Sequence, residues 1–416
     1  MSRRKAAVIG SGVSGLTAAH VLRHKYDVTL FEAGDKLGGH ADTHDVITPD
    51  GSSVAVDTGF LVHNAVTYPT LTRLFRELGV STRETEMSMS IRCLGCGLEY
   101  AGGKGGLGMV PSGGSPLREY ARMLADVPRF YRAARTFEFS EDGGPSFGQF
   151  LTAGRFSRYF TEHFALPLVS AVWSTGEHHS LTYPATHLFA FLRNHGMLSP
   201  VGSLPWRTVI GGSRTYVDKI GAAHAVRTGT RVEVVRRHVD DVELIDAAGH
   251  AQVFDCVVLA THADQALALL ADATALEKQV LGAFTYSRNE ARLHSDAALL
   301  PTRARVHAAW NYLKPACEGR DRVLVSYDLN RLMRLSEPVP HVLSLNAGDR
   351  VDASRVIKEL VYRHPVYTAE AVAAQRRLPE LNSPRLAFAG AYHGWGFHED
   401  GCVAGVRAAL ALGVRW

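Results

Sequence analysis

Apolar positions near the start of the chain fall into a strand, helix, strand order. Ala6 to Gly10 (AAVIG) is a short continuous apolar run, Val13 to Leu22 carries small and apolar residues in a helical pattern, and Asp27 to Glu32 (DVTLFE) is a second strand-like run. Together they predict a βαβ unit. Farther on, Leu71, Leu74, Phe75 and Leu78 recur at helical spacing, with Pro69 in the first turn and Gly79 at the stop, which predicts an amphipathic helix. Glycine density rises from Cys93 to Pro116, so this stretch reads as a loop leaving the first domain, with a boundary near residues 80–115. Aromatic-rich sequence of helical character follows from Leu117 to about Asn194.

Strand patterning then returns. Gly211 to Ile220 reads as a turn opening a helix, TRVEVVRR sets Val232 and Val234 against charges, and VELI (Val242 to Ile245) follows as another strand. Cys256 to Ala260 is fully apolar and runs into a helix. RVHAAWNYL, RVLVSYDL and HVLSL alternate, with Val306, Ala308, Trp310 and Tyr312 on one face of the first, and predict an antiparallel sheet. LAFAG, ending at Gly390, reads as a buried strand, and Gly401 to Leu412 as a helix whose Gly401 and Gly405 permit close approach. The fold class expected is α/β: a Rossmann-like domain from residues 1–80, 205–265 and 380–416, interleaved with an α+β domain from residues 81–204 and 266–379.

A chain of 416 residues suffices for two domains, and 46% hydrophobic with 21% charged residues excludes disorder. No apolar run is long and charge-free enough to span a bilayer, and MSRRK leads straight into a strand and glycine turn, so the expected location is cytoplasmic. Lys plus Arg number 45 against 41 acidic residues, which is no nucleic-acid signature. The five cysteines form no disulfide framework. Cys93 and Cys96 make one CxxC without a second pair to complete a zinc site, so no metal is expected.

Candidate chemistry begins in the βαβ unit. Gly10 permits the tight turn, Gly12 lets backbone approach a pyrophosphate, and Gly15 lets helix and sheet pack, while Val13 and Ser14 open a helix whose N-terminus faces the phosphates. Glu32, followed by Ala33, would accept from ribose hydroxyls, and its charge disfavours a 2′-phosphate. NAD and FAD share this much; the pair Gly38 and Gly39 in LGGH favours FAD.

The stretches GSGVSGLTAAHVL, LGGHADT, VDTGFLVHNAVTYPTLTRLFRELGV, VWST with YPATHLFAFLRNHGML, WRTVIGGSRTYV and GWGFHEDGCVAG span the chain. In them the chain resembles the flavin-containing amine oxidase and phytoene desaturase superfamily, most of all the NAD/FAD-binding proteins related to the flavin-like N-terminal domain of plant cyclopropane fatty acid synthases. The resemblance implies non-covalent FAD under an interleaved substrate domain. Beyond the glycines and Glu32, the cofactor contacts it implies are His40, Thr58, Gly59, Phe60, the Val232 amide at the adenine, Gly390, Asp400, Gly401 and Cys402. The helix near Gly401 would point its positive end at flavin N1 and the C2 carbonyl. His40 stands where the superfamily commonly has arginine, and His398 falls where monoamine oxidases place an aromatic residue, which leaves an aromatic cage incomplete. Cys402 reads as a packing position, not a covalent flavin link.

The activity implied is hydride transfer between flavin N5 and a largely apolar small-molecule substrate, a fatty acyl chain, by desaturation, saturation or double-bond isomerisation. Alternatives are amine oxidation, or a non-catalytic FAD-binding partner of a lipid methyltransferase. His398 is the candidate acid or base because imidazole titrates near neutral pH. Glu399 would orient it or hold ribityl hydroxyls, and Asp400 reads first as a helix cap. Trp173 and Arg214 are substrate-binding candidates, and Arg214 could equally hold a flavin phosphate. Trp173, Tyr183, His187, Phe191 and His195 lie close in sequence, and the last three share one helical face that reads as core. An apolar substrate allows peripheral membrane contact, although no basic amphipathic helix stands out.

Overall fold

A computed structural model describes residues 3–112, 114–138, 144–199, 204–319 and 321–416. Its first sheet has five parallel strands in the order Leu386–Phe388, Cys256–Leu259, Arg4–Ile9, Tyr26–Phe31 and Ala225–Arg227. The stretches Ala6–Ile9, Cys256–Leu259 and Leu386–Phe388 read as continuous apolar runs because both faces are covered. Ala6, Val8, Cys256 and Val258 pack with one layer of helices, and Ala7, Ile9, Val257 and Leu259 pack on the opposite side. The helix Val13–Leu22 forms where the small-residue pattern places it. Pro69–Leu78 is helical too, ended by Gly79 at φ 63°.

The two ends of the chain meet on one face of this sheet. The terminal helix, His398–Ala411, lies against Val13–Leu22 so closely that a Cβ on Gly401 would come within 2.7 Å of Val13 Cγ1, and one on Gly405 would strike the Ser14 carbonyl oxygen. This helix starts three residues before the expected Gly401. His398, Glu399 and Asp400 therefore occupy its first turn instead of the approach to it. On the other side, Val232–Arg237, Val242–Asp246 and Ala251–Phe254 form a three-stranded antiparallel sheet.

The second sheet has seven strands in the order Val356–Val366, Thr285–His294, Val342–Leu345, Val325–Asp328, Trp310–Lys314, Met89–Cys93 and Glu99–Gly102. It is mixed, because Trp310–Lys314 runs parallel to Met89–Cys93. The strand expected from Val306 onward is shorter: Ala304–Val306 is a 3-10 turn, and the Asn311 side chain bonds both the N–H and the carbonyl of Ala308, which holds the backbone there out of the ladder. The glycine-rich stretch expected as a loop instead begins as a hairpin between Met89–Cys93 and Glu99–Gly102. The helical segment includes Leu117–Arg135, Leu166–Trp173 and Ala185–Asn194, with a π-helical turn at Thr161–Ala165; residues 139–143 of it lie outside the described residues. Among the described residues no helix is long and apolar enough to cross a membrane.

Candidate functional site

Three glycines in the first turn have three different surroundings. Gly10 is left-handed at φ 95°, and a Cβ there would lie 2.7 Å from the Ala260 carbonyl oxygen. Gly15 has no room for a Cβ, which would run into the Gly10 carbonyl oxygen. Gly12 is the opposite case: nothing lies within 4 Å of the position its Cβ would take. Gly12 is also the N-cap of Val13–Leu22, which has no side-chain cap and no acid in its first turn. Open space, uncapped N–H groups and absent negative charge together suit a phosphate.

Gly39 closes over this turn, its Cβ position 3.2 Å from Gly12 Cα, and Gly38 donates its N–H to Ser11 O at 3.1 Å. Glu32 accepts from Ser11 N at 3.0 Å, Ser11 Oγ at 2.6 Å and Gly34 N at 2.8 Å, with exposed Ala33 beside it. The segments Gly39–Asp42 and Thr58–Phe60 run against each other. Thr58 donates its N–H to Asp42 O at 2.9 Å, Phe60 donates to His40 O at 2.7 Å, and a Cβ on Gly59 would collide with His40 O. Val232 opens its strand with a buried side chain in the cluster that holds Ile9 and Phe31. Gly390 follows the strand Leu386–Phe388.

Imidazoles gather beyond this cradle. The His40 ring lies 5.0 Å from that of Tyr362 and 5.5 Å from that of His364. The pKa values of His364 and His398 are pushed down to about 3, first by burial and then by the neighbouring His40. His40, His364 and His398 are half-buried. Buried atoms without partners include His40 Nε2, both ring nitrogens of His63, His262 Nδ1, His393 Nε2 and the hydroxyls of Tyr367 and Tyr392. Buried polar groups are normally paired. The unmet Nε2 of His40, whose neighbour Gly39 closes over the open glycine turn, fits a polar ligand such as FAD.

The first turn of the terminal helix departs from expectation at His398 and Glu399 and meets it at Asp400. His398 stacks on Phe60 with centroids 3.8 Å apart, and its Nε2 lies 3.3 Å from Tyr216 Oη. Its depressed pKa keeps the ring neutral at physiological pH, so titration near pH 7 does not describe it. Glu399 is no free carboxylate: its two oxygens accept from Thr70 N and Leu71 N, both at 2.9 Å, and cap the helix Pro69–Leu78. Glu399→Ala is expected to cost roughly 1–2 kcal/mol in a denaturant melt, with turnover retained. Asp400 is a cap, as expected, its Oδ2 accepting from Phe397 N at 2.9 Å, and burial pushes its pKa up to about 7. Cys402 Sγ lies 3.2 Å from Thr17 Oγ1 between the two packed helices, the packing position expected of it. Arg214 does hold a carboxylate, but the chain's own: Nη1 and Nη2 each donate to Asp45 at 2.6 Å, which occupies both faces of the fork proposed for a ligand.

A packed cluster of rings adjoins this turn. Trp173 Nε1 donates to Trp395 O at 3.0 Å, and its ring lies 4.7 Å from Phe191, which stacks on Phe397 at 4.9 Å. His195 lies 4.0 Å from Phe191, and His187 lies 4.7 Å from Tyr367. The helix face read as plain core therefore meets the segment before the terminal helix. Phe397, and not His398, is the ring that turns toward Trp173, at 6.4 Å. Tyr216, Tyr362, His364, Trp395 and Phe397 were not singled out by sequence; the run GWGF before the expected helix was the available signal for the last two. The fold also brings His163 and Cys317 to Cys93 and Cys96, partners that the CxxC spacing alone did not supply.

The family model for flavin containing amine oxidoreductases matches residues 13–285. Among solved structures, wild-type putrescine oxidase bound to putrescine is similar at TM-score 0.70 and 14% identity, covering 99% of both chains. A CLA-producing fatty acid isomerase from P. acnes gives 0.69 and 15% over 97% of both chains. Cyclohexylamine oxidase from Brevibacterium oxydans IH-35A gives 0.68 and 14% over 99% of both. At such identity the likeness is one of fold. No curated protein matches the chain in sequence.

Proposed function

The chain belongs to the flavin containing amine oxidoreductases, an FAD-dependent oxidoreductase family, and from that premise we propose that its substrate is a largely apolar molecule, a fatty acyl chain. FAD, when bound, supplies the hydride acceptor or donor at N5. The chain's own part is to bind, orient and exclude water. In this reading residues 1–80, 205–265 and 380–416 form the FAD-binding domain and the remainder the substrate domain. Gly12 at the start of Val13–Leu22 would hold the pyrophosphate, Glu32 would take the ribose, and His40 with Thr58–Phe60 would hold the flavin end. Trp173 belongs to the substrate wall.

One observation carries the substrate class. Trp173, Phe191, Trp395 and Phe397 form an apolar cluster of rings, while Glu399 and Asp400 beside it both accept from backbone N–H groups. A substrate ammonium would meet no free carboxylate at that turn; an acyl chain requires none. The test is anaerobic mixing of the yellow protein with acyl lipids, amines and NAD(P)H while flavin absorbance is followed, with product analysis for isomerisation that leaves the flavin oxidised. Conversion of acyl lipids supports the reading. Bleaching by amines alone overturns it.

His398 enters this reading as a neutral hydrogen-bonding ring, not as the proton carrier. A general acid or base contributes about 10²–10⁴ in rate. His398→Ala is therefore expected to slow anaerobic flavin reduction by less than about 100-fold and to leave its pH profile unchanged between about pH 5 and 8, well above the depressed pKa. A larger loss returns proton transfer to this residue.

A further inference from the structure

Far along the chain from the glycine turns, three cysteines and a histidine converge beside the second sheet. Cys93 ends the strand Met89–Cys93, Cys96 follows in the hairpin turn, Cys317 lies just past the strand Trp310–Lys314, and His163 sits in the π-helical turn Thr161–Ala165. Their ligand atoms all lie within 4.8 Å of one another. Sheet register explains the meeting: Cys93 pairs with Lys314 in parallel, and Leu94 N donates to Lys314 O at 2.8 Å, which carries the alignment past both strand ends. Gly95 lets the turn rest on the Cys317 loop, since a Cβ there would lie 3.0 Å from Cys317 N. Gly97, at φ 70°, turns the chain back so that Cys93 N reaches Leu98 O at 2.8 Å.

Cys93 Sγ and Cys317 Sγ are 3.8 Å apart, and Cys96 Sγ and His163 Nε2 are 3.5 Å apart. A tetrahedron with Zn–S near 2.3 Å and Zn–N near 2.0 Å has S–S edges of about 3.8 Å and S–N edges of about 3.5 Å. A disulfide would need about 2.05 Å between sulfurs. The surroundings also suit a metal. His163 Nδ1 lies 3.2 Å from Tyr159 O, which places its proton on Nδ1 and leaves the Nε2 lone pair facing the sulfurs. Tyr159 Oη lies 3.3 Å from Cys96 Sγ and can donate to a thiolate.

We propose that Cys93, Cys96, His163 and Cys317 bind one zinc ion as a closed structural site. Four protein ligands leave no open position for a reactant, so the ion acts as a clamp. It ties the hairpin, the helical layer and the strand Trp310–Lys314 across sequence separations of 67 and 224 residues. On binding, the three thiols release their protons to solvent.

The test is elemental analysis of the purified full-length chain, with zinc K-edge absorption of the same sample. One zinc per chain, in a shell of three sulfurs and one nitrogen, is expected. Cys96→Ser and Cys317→Ser should weaken zinc binding by more than about 100-fold, and Tyr159→Phe by about tenfold, the span found when only an outer partner is lost. If the serine variants fail to fold, the wild-type absorption shell still decides. Reduced protein that takes up no zinc from zinc chloride, or a Cys93–Cys317 disulfide in protein from reducing cells, overturns the proposal. Neither outcome depends on flavin content or turnover, so the zinc site stands or falls apart from the substrate reading.

Discussion

Alanine at Gly12 is expected to give a colourless protein that still folds, whereas alanine at Gly15 is expected to lose both colour and fold. Gly12 has φ −62° and ψ 175°, a conformation open to any residue, and no atom lies within 4 Å of its Cβ position. The added methyl therefore costs the apoprotein nothing. It stands, however, where backbone must approach the pyrophosphate. At Gly15 the added carbon meets the Gly10 carbonyl oxygen and lies 3.1 Å from Ala260 Cβ, so the helix must move off the strand. Overpacking against side chains costs about 1–3 kcal/mol, and backbone yields less readily. The measurements are the flavin-to-protein absorbance ratio and the melting temperature, compared with wild-type apoprotein. A fully yellow Gly12→Ala variant would remove the phosphate site from this turn. A Gly15→Ala variant that melts like wild type would contradict the packing argument.

These positions were legible in the sequence because their demands are local. A strand buried on both faces must be apolar throughout, and a turn between strand and helix must place glycine at fixed offsets; Ala6–Gly15 satisfies both within ten residues. The helix Pro69–Leu78 was legible for the same reason, since Pro69 and Gly79 mark its ends. The longest strands were not. Thr285–His294 and Val356–Val366 pair Arg288 with Arg363, Arg292 with Glu359 and Leu293 with Lys358, so much of their pattern is charged, and only the partner strand makes either one a strand. Glu399 shows a subtler limit. Acids at a helix start suggest a cap for that helix, yet its carboxylate caps another helix more than 300 residues away. Likewise nothing near CLGC announces His163 or Cys317; only the parallel register of two strands brings them there.

The second large effect is acid unfolding, expected to set in below about pH 6.5 and to be well advanced by about pH 5, because buried histidines must take up protons. Burial pushes the pKa of His63, His187, His262 and His294 down to about 4 each. His364, His393 and His398 go to about 3. An unfolded imidazole titrates near 6.5. For a base with a depressed folded pKa, stability is complete above the unfolded value and is lost as pH falls toward the folded one. At about pH 5, 1.5 units below that reference, each such ring costs about 2 kcal/mol, against a whole-protein stability of about 5–15 kcal/mol. Asp57 and Asp400 act in the opposite sense. Burial raises them to about 6 and about 7, so their contribution is full at low pH and is lost as pH rises through those values. Two carboxyls do not offset seven imidazoles. His187→Phe isolates one of them: its Nε2 has no partner and its ring packs 4.7 Å from Tyr367, so phenylalanine keeps the contact and removes the proton site. The variant should melt like wild type at pH 8 and unfold at lower pH than wild type in a circular-dichroism titration. Identical acid midpoints would mean that His187 is not held neutral by the fold, and the acid limb would then need another cause.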